Sequence, residues 1–296
     1  MVNVPNVAVI VGSSKGIGLH LARAYLARTD LQIISLSRSP DSARKAILDT
    51  KTGSPLSTGA RSDDKKIGQD DASKLSSFDS GRLTNLEVDV RSEDSIAEAA
   101  KSIKDKFGEG SLKLLLNVAG VLTPEKNLQQ VEYEELMNHF KINAFFPLLS
   151  FKHFSPLLPK PGKFPEDAPC LSHGLLPRGL SVIGSLSARV GSITDNQRGG
   201  WYSYRASKAA QNQFTRSFAR ELDNRNLNAA AFALHPGTVR SELSKDFTGG
   251  PGASKELGKG EFEPDQAAAN LVEVLKGVKK EDNGKFFDWA GKEVPW

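Results

Sequence analysis

The sequence predicts an α/β fold: a doubly wound parallel sheet flanked by helices on both faces. Two observations carry this. β-Branched runs alternate with amphipathic stretches along most of the 296 residues, as in chains of parallel strands and crossover helices. A glycine-rich turn joins the first run to the first helical stretch. No apolar run reaches the roughly 18–20 residues a membrane span needs.

Residues 4–11 (VPNVAVIV) read as the first strand and close at Gly12, after which Ile17, Leu21, Ala24 and Tyr25 recur at helical spacing. LQIISLS (31–37) and LTNLEVDV (83–90) are the second and third strands. Residues 92–108 open with a serine cap and an acidic first turn, carry Ile96, Ala100, Ile103 and Phe107 on one stripe, and stop at Gly108. Residues 111–120 are a buried strand, 131–152 a helix, 178–187 a strand, 201–224 a long helix, 227–237 a strand, 265–278 a helix and 284–289 a last short strand. Two stretches break the rhythm: 51–82, rich in Ser, Gly and Asp, and 159–179, with five prolines. Both are expected as surface insertions in one domain spanning 1–296, with a glycine-rich lid near 240–262.

With 39 basic and 35 acidic residues the surface is mixed, which argues against a nucleic-acid partner. The single cysteine, Cys170, excludes a disulfide framework or thiolate metal cluster within the chain. The first residues lack a secretory pattern, so a cytoplasmic protein is expected.

Gly12, Gly16 and Gly18 form G-x-x-x-G-x-G between a strand and a helix. There they allow a tight turn, close approach of a pyrophosphate and access to free helix N–H groups. The second strand ends ISLSRS without the carboxylate that would hold a ribose 2′-hydroxyl, while Lys15 and Arg38 bracket the same region. Two cations there favour the 2′-phosphate of NADP(H), with Ser35 and Ser37 as further hydroxyls. Downstream, Tyr204 and Lys208 form Y-x-x-x-K, one helical turn apart, whereas Tyr202 has Ala206 at that spacing. A nearby lysine ammonium, together with the positive nicotinamide of an oxidised cofactor, favours the phenolate and brings it toward working pH.

The glycine loop and Y-x-x-x-K, some 190 residues apart, resemble the short-chain dehydrogenase/reductase family of classical type, a Rossmann-type fold; the likeness runs along nearly the whole chain. Residues 188–213 and the ending GKFFDWAGKEVPW are similar to its C-factor-like subgroup. Val11 and Val118 depart from the family's usual Thr and second Asn.

The resemblance implies NADP(H) contacts from the loop residues Gly12, Ser14, Lys15, Gly16, Ile17 and Gly18, and from Arg38. It implies an adenine contact at Asp89, which could instead cap the following helix, and a backbone contact at Val90. Asn117, Ala119 and Gly120 of NVAG would floor the adenosine ribose. Pro236, Gly237, Thr238 and Val239 would close over the nicotinamide.

For catalysis it implies Tyr204 as acid/base and Lys208 as its partner and ribose holder. Asn143 would bend its helix and help hold a relay water. A serine would hold the carbonyl oxygen; Ser187 is preferred over Ser185 by anchoring the family's S-S-x-x-G on Gly191, though Ala188 replaces the second serine. The expected activity is NADPH-dependent interconversion of a small carbonyl compound and its alcohol. The expected assembly is a homodimer or homotetramer away from membranes. The small-residue face Ala206, Ala209 and Ala210 would serve helix packing, either between copies or against the chain's own sheet. A non-catalytic NADP(H)-binding regulatory protein is the alternative. A sugar-nucleotide epimerase is disfavoured, because only about 60 residues follow Gly237.

Overall fold

The computed structural model describes residues 6–49, 79–162, 170–250, 253, 256–258 and 260–296. Its strands are β1 (Val7–Val11), β2 (Gln32–Ser37), β3 (Leu83–Glu87), β4 (Leu112–Asn117), β5 (Ser181–Leu186), β6 (Ala229–His235), β7 (Thr238–Val239), β8 (Glu261–Phe262) and β9 (Phe286–Asp288). Its helices are α1 (Gly16–Arg28), α2 (Pro40–Leu48), α3 (Glu93–Phe107), α4 (Tyr133–His139), α5 (Phe146–Phe154), α6 (Tyr202–Asn224), α7 (Lys245–Thr248) and α8 (Pro264–Gly277).

Seven strands form one sheet in the order β3-β2-β1-β4-β5-β6-β9, every pair parallel. Each is reached by a crossover, so both faces are covered and the strands are continuously apolar. In β1, Ala8 and Ile10 join the core under α1, α2 and α8, while Val7, Val9 and Val11 join the core under α3, α5 and α6. From β1 the chain winds outward to β3, then returns beside β1 as β4. Ligands of such sheets bind at this reversal, outside the carboxyl ends of the strands. No helix among the described residues is long and apolar enough to cross a membrane.

The elements expected from sequence are present, with instructive differences. The Ser92 hydroxyl accepts from Ser95 N–H (3.2 Å) to cap α3, and Gly108 ends it at φ +83°. β3 stops at Glu87, so Asp89 and Val90 lie in the following loop. The single helix expected over 131–152 is three pieces, with a π-helical segment at Phe140–Phe145 between α4 and α5. Pro147 explains the break, because it has no N–H for the carbonyl of Asn143 four residues earlier.

Most of the first insertion lies outside the described residues, as does the middle of the second. The tail of the second is pinned from beneath: the buried Lys113 ammonium on β4 donates to the carbonyls of Pro177 and Leu180, both at 2.6 Å. Burial nevertheless pushes Lys113 down to about 8. Ala206, Ala209 and Ala210 are not on the buried face of α6. The face against the sheet carries Tyr204, Ser207, Lys208, Gln211 and Asn212 instead, so packing on the chain's own sheet is not what the alanines do.

Candidate active site

The loop after β1 is built around its glycines. Gly12 has φ +90°, and a Cβ there would stand 2.8 Å from Ala119 N; a Cβ on Gly18 would stand 2.2 Å from the Gly12 carbonyl oxygen. Only glycine lets loop and helix fold back this closely. A Cβ on Gly16 would meet nothing within 4 Å, so this side of the loop is open. α1 begins there with no side-chain cap and no acid in its first turn. Its leading N–H groups therefore present a partial positive charge to an anion.

At the end of β2, Ser35 is consumed by a hydroxyl pair with Ser13 (2.8 Å) and is not the ligand contact expected of it. Ser37 is buried, and its hydroxyl has no partner among the described residues. Lys15 and Arg38 are exposed on the loops that follow the paired strands β1 and β2. An open glycine cradle, an orphaned hydroxyl and two cations suit a phosphorylated dinucleotide.

Asp89 differs in detail from expectation. Its carboxylate is gripped by Arg91 through bonds of 3.0 and 2.7 Å, which pull it down to about 2 against the opposing effect of burial. Helix capping falls to Ser92, not Asp89. Val90 and Ala119 pack against the core edge. Asn117 is spent internally: its Nδ2 donates to Ser185 Oγ (3.2 Å) and its Oδ1 accepts from Ser150 Oγ (2.8 Å). It thus ties β4 to β5 and α5.

Beside this region lies a cleft of about 380 Å³, within the usual range for small-ligand sites. Ile17, Val118 and Gly120 border it on the glycine-loop side, and the segment from Pro236 to Val239 on the other. Ser187, Tyr204 and Lys208 meet between them.

Tyr204 is 7% exposed and its hydroxyl forms no hydrogen bond among the described residues; Tyr202 is 39% exposed and does not line the cleft. Lys208 Nζ lies 5.9 Å from the Tyr204 ring centroid and donates to Leu186 O (2.6 Å) and Gln211 Oε1 (2.9 Å). Burial pushes the Tyr204 phenol up and Lys208 down to about 7. Burial thus acts against the phenolate that the ammonium and an oxidised nicotinamide would favour. Desolvation disfavours the charged form of both groups: it raises the phenol and lowers the amine.

The two serines separate cleanly. Ser185 lies within β5, buried against Asn117, and does not line the cleft. Ser187 follows the strand's last residue and does line it, with its hydroxyl donating to Asn212 Oδ1 (2.6 Å). Asn212 in turn donates to the Gly191 carbonyl (3.3 Å). Gly191 is required because a Cβ there would stand 2.7 Å from Lys208 Cβ.

Asn143 is buried in the π-helical segment. Its amide pairs with both backbone groups of Val121 (2.9 and 3.0 Å) and donates to Ser207 Oγ (3.1 Å). It clamps the loop after β4 to α6, and its side chain is fully engaged in doing so.

Several residues here escaped sequence reasoning. Asn212 continues the Tyr204–Lys208 spacing by one more turn, a signal that was available. His139 lays its ring at 72° to Tyr204 with centroids 6.2 Å apart, held by Thr123 N–H and Glu135 O; nothing local marks it. Leu122, Val190, Trp201, Leu243 and Phe247 make the outer wall apolar. Arg189 also borders the cleft but is engaged with Asp195. Arg240 is buried and tied to Ala253 O and Glu263, so it anchors the lid segment.

Comparison with known proteins identifies the family. Residues 57–164 match the family model described as enoyl-(acyl carrier protein) reductase. The chain is 30% identical over 209 residues to 1-hydroxy-2-glutathionyl-2-methyl-3-butene dehydrogenase of Rhodococcus sp. (strain AD45), covering 71% of this chain and 78% of that protein. The chain belongs to the short-chain dehydrogenase/reductase family. The family's C-factor-like subgroup is represented by C-signal of Myxococcus xanthus, 33% identical over 63% of this chain and 94% of that protein. Among solved structures, NADPH-bound carbonyl reductase from chicken fatty liver superposes with a TM-score of 0.71 at 25% identity, covering 99% of this chain and 100% of that one. As a short-chain dehydrogenase/reductase with the Rossmann-type sheet, the protein is an oxidoreductase.

Proposed function

We propose that this chain, as one domain, is an NADPH-dependent carbonyl reductase that converts an aldehyde or ketone to its alcohol, or the reverse. The observation that carries this is the convergence of Tyr204, Lys208 and Ser187 on one cleft beside the glycine loop. Bound NADPH supplies the hydride that adds to the carbonyl carbon. Lys15, Arg38 and Ser37 hold the 2′-phosphate, and the first turn of α1 faces the pyrophosphate. Tyr204, kept protonated by burial, donates its proton to the carbonyl oxygen. Ser187 gives a second hydrogen bond to that oxygen once its hydroxyl turns from Asn212 into the cleft. Lys208 holds the nicotinamide ribose.

The substrate we infer is neutral, with an apolar or aromatic body. Trp201 and Phe247, with centroids 5.4 Å apart, offer it a flat aromatic wall, and Arg189 is already paired with Asp195. A substrate carboxylate would find no uncommitted arginine there.

Two outcomes are expected. Ser187→Ala lowers kcat by ~10- to 100-fold, the scale of one lost donor to a developing oxyanion; some Tm is lost as well, because Asn212 Oδ1 is left without its donor. Ser185→Ala leaves Asn117 Nδ2 unpaired and lowers Tm with smaller effect on kcat. The reverse pattern contradicts the assignment. Replacing Lys15 and Arg38 by neutral residues raises the Kd for NADPH at least ~10-fold and leaves NADH within a few fold. Equal weakening of both cofactors overturns the NADPH reading.

A further inference from the structure

The helix that carries Tyr204 lacks a cap of its own. Its N-cap residue Trp201 sits in the left-handed region (φ +52°, ψ +45°), makes no side-chain cap bond, and is followed by a first turn without an acidic residue. The leading N–H groups of a buried helix need acceptors. Here they come from Glu125, 78 positions upstream of Ser203.

Glu125 Oε2 accepts from Ser203 N–H at 2.8 Å, and its Oε1 accepts from the Ser203 hydroxyl. Its main-chain oxygen accepts from Trp201 N–H at 2.6 Å. The side chain is 2% exposed and does not line the cleft. The carboxylate faces the amino end of α6, where the helix dipole favours negative charge. Gly200 keeps the approach tight: at φ +66°, a Cβ there would stand 3.3 Å from Glu125 O. Glu125 therefore grips the residues on both sides of Tyr202, and each of those neighbours a cleft wall: Trp201 itself, and Tyr204 next to Ser203.

We propose that Glu125 is a positioning residue for the proton donor: its buried carboxylate caps α6 from outside and fixes where the Tyr204 phenol stands. This rests on the carbonyl-reductase reading of the site. A displacement of about 1 Å in a reacting group is enough to cost on the order of 100-fold, so a side chain that never touches substrate sets the rate.

The test uses the full chain with Glu125→Ala, Glu125→Gln and Ser203→Ala. It measures kcat and KM for a carbonyl, NADPH affinity by fluorescence titration, Tm, and backbone hydrogen exchange in the segment 199–208. Glu125→Ala is expected to lower kcat ~10- to 100-fold, hold NADPH affinity within about threefold, and speed exchange in the first turn of α6. Glu125→Gln keeps an acceptor for Ser203 N–H and recovers most of the loss; Ser203→Ala reproduces a smaller part of it. If Glu125→Ala does not fold, the other two variants carry the same comparison. An unchanged kcat in the Ala variant, or loss of NADPH affinity in step with kcat, overturns the proposal. Should the wild type reduce no carbonyl, the functional reading fails by itself. Exchange then judges Glu125 alone: faster exchange upholds the cap and unchanged exchange overturns it.

Discussion

Tyr204→Phe should lower kcat for carbonyl reduction by ~10²- to 10⁴-fold, the contribution of a positioned acid in general acid catalysis. The change removes one oxygen and little else. The hydroxyl makes no hydrogen bond among the described residues, so its loss orphans no buried partner. The ring keeps its edge contacts with His139 and Trp201, at centroid distances of 6.2 Å each. Tm should therefore stay within a few degrees of the wild type, and NADPH affinity within a few fold. Rate measurements on a competent carbonyl, paired with cofactor titration, check both halves. A variant that keeps most of its turnover would remove Tyr204 from the chemistry. Tyr202→Phe is the internal control, because that ring is exposed outside the cleft.

The second large effect is at Lys208, where activity and stability should move differently. Lys208→Met should cost at least ~100-fold in kcat/KM, because it removes the amine beside the donor and, on the proposed reading, the group that would hold the ribose. Stability follows from the burial that pushes Lys208 down to about 7. In the unfolded chain the same group titrates near its ordinary value of 10.5. Between these values the unfolded state binds more protons, so this group makes the wild type gain stability as pH rises from about 7 toward 10.5. Below 7 the cost of burying the ammonium is fully present. Met carries no such cost but leaves Leu186 O and Gln211 Oε1 without their donor. The stability of the variant relative to wild type should therefore be most favourable at or below pH 7 and decline toward pH 10. The swing is on the order of a few kcal/mol. Unfolding curves across that range read it directly; a pH-independent difference would mean that Lys208 is not held in a desolvated site.

Features written locally in the chain were legible in the sequence. The glycine loop is one strand, one turn and one helix start: Gly18 packs on the Gly12 carbonyl beside it and Gly16 takes a positive φ, although the close approach that Gly12 permits is to Ala119, far along the chain. Y-x-x-x-K is legible for the same reason, since a single helical turn places Lys208 beside Tyr204. The choice between Ser185 and Ser187 was not fixed locally. Alternation along a strand puts both on one side, but β5 ends at Leu186, and beyond it the chain turns Ser187 into the cleft while Asn117 holds Ser185 in the core. The helix break at Asn143 was foreshadowed by Pro147, yet the partners that use it, Val121 and Ser207, lie 22 and 64 positions away. Glu125 is the extreme case, a loop carboxylate whose target is separated from it by α4, α5 and β5. Burial is also invisible to a motif: spacing places Lys208 one turn from Tyr204, but only the fold shows that both are desolvated.

The most direct measurement is the oxidation of NADPH by the wild-type protein across a panel of neutral aliphatic and aromatic aldehydes and ketones, with the product identified. The account predicts turnover of at least one apolar or aromatic carbonyl, one alcohol formed per NADPH consumed, and loss of that turnover in Tyr204→Phe. Tight binding of NADPH with no carbonyl reduced faster by the wild type than by Tyr204→Phe would contradict it.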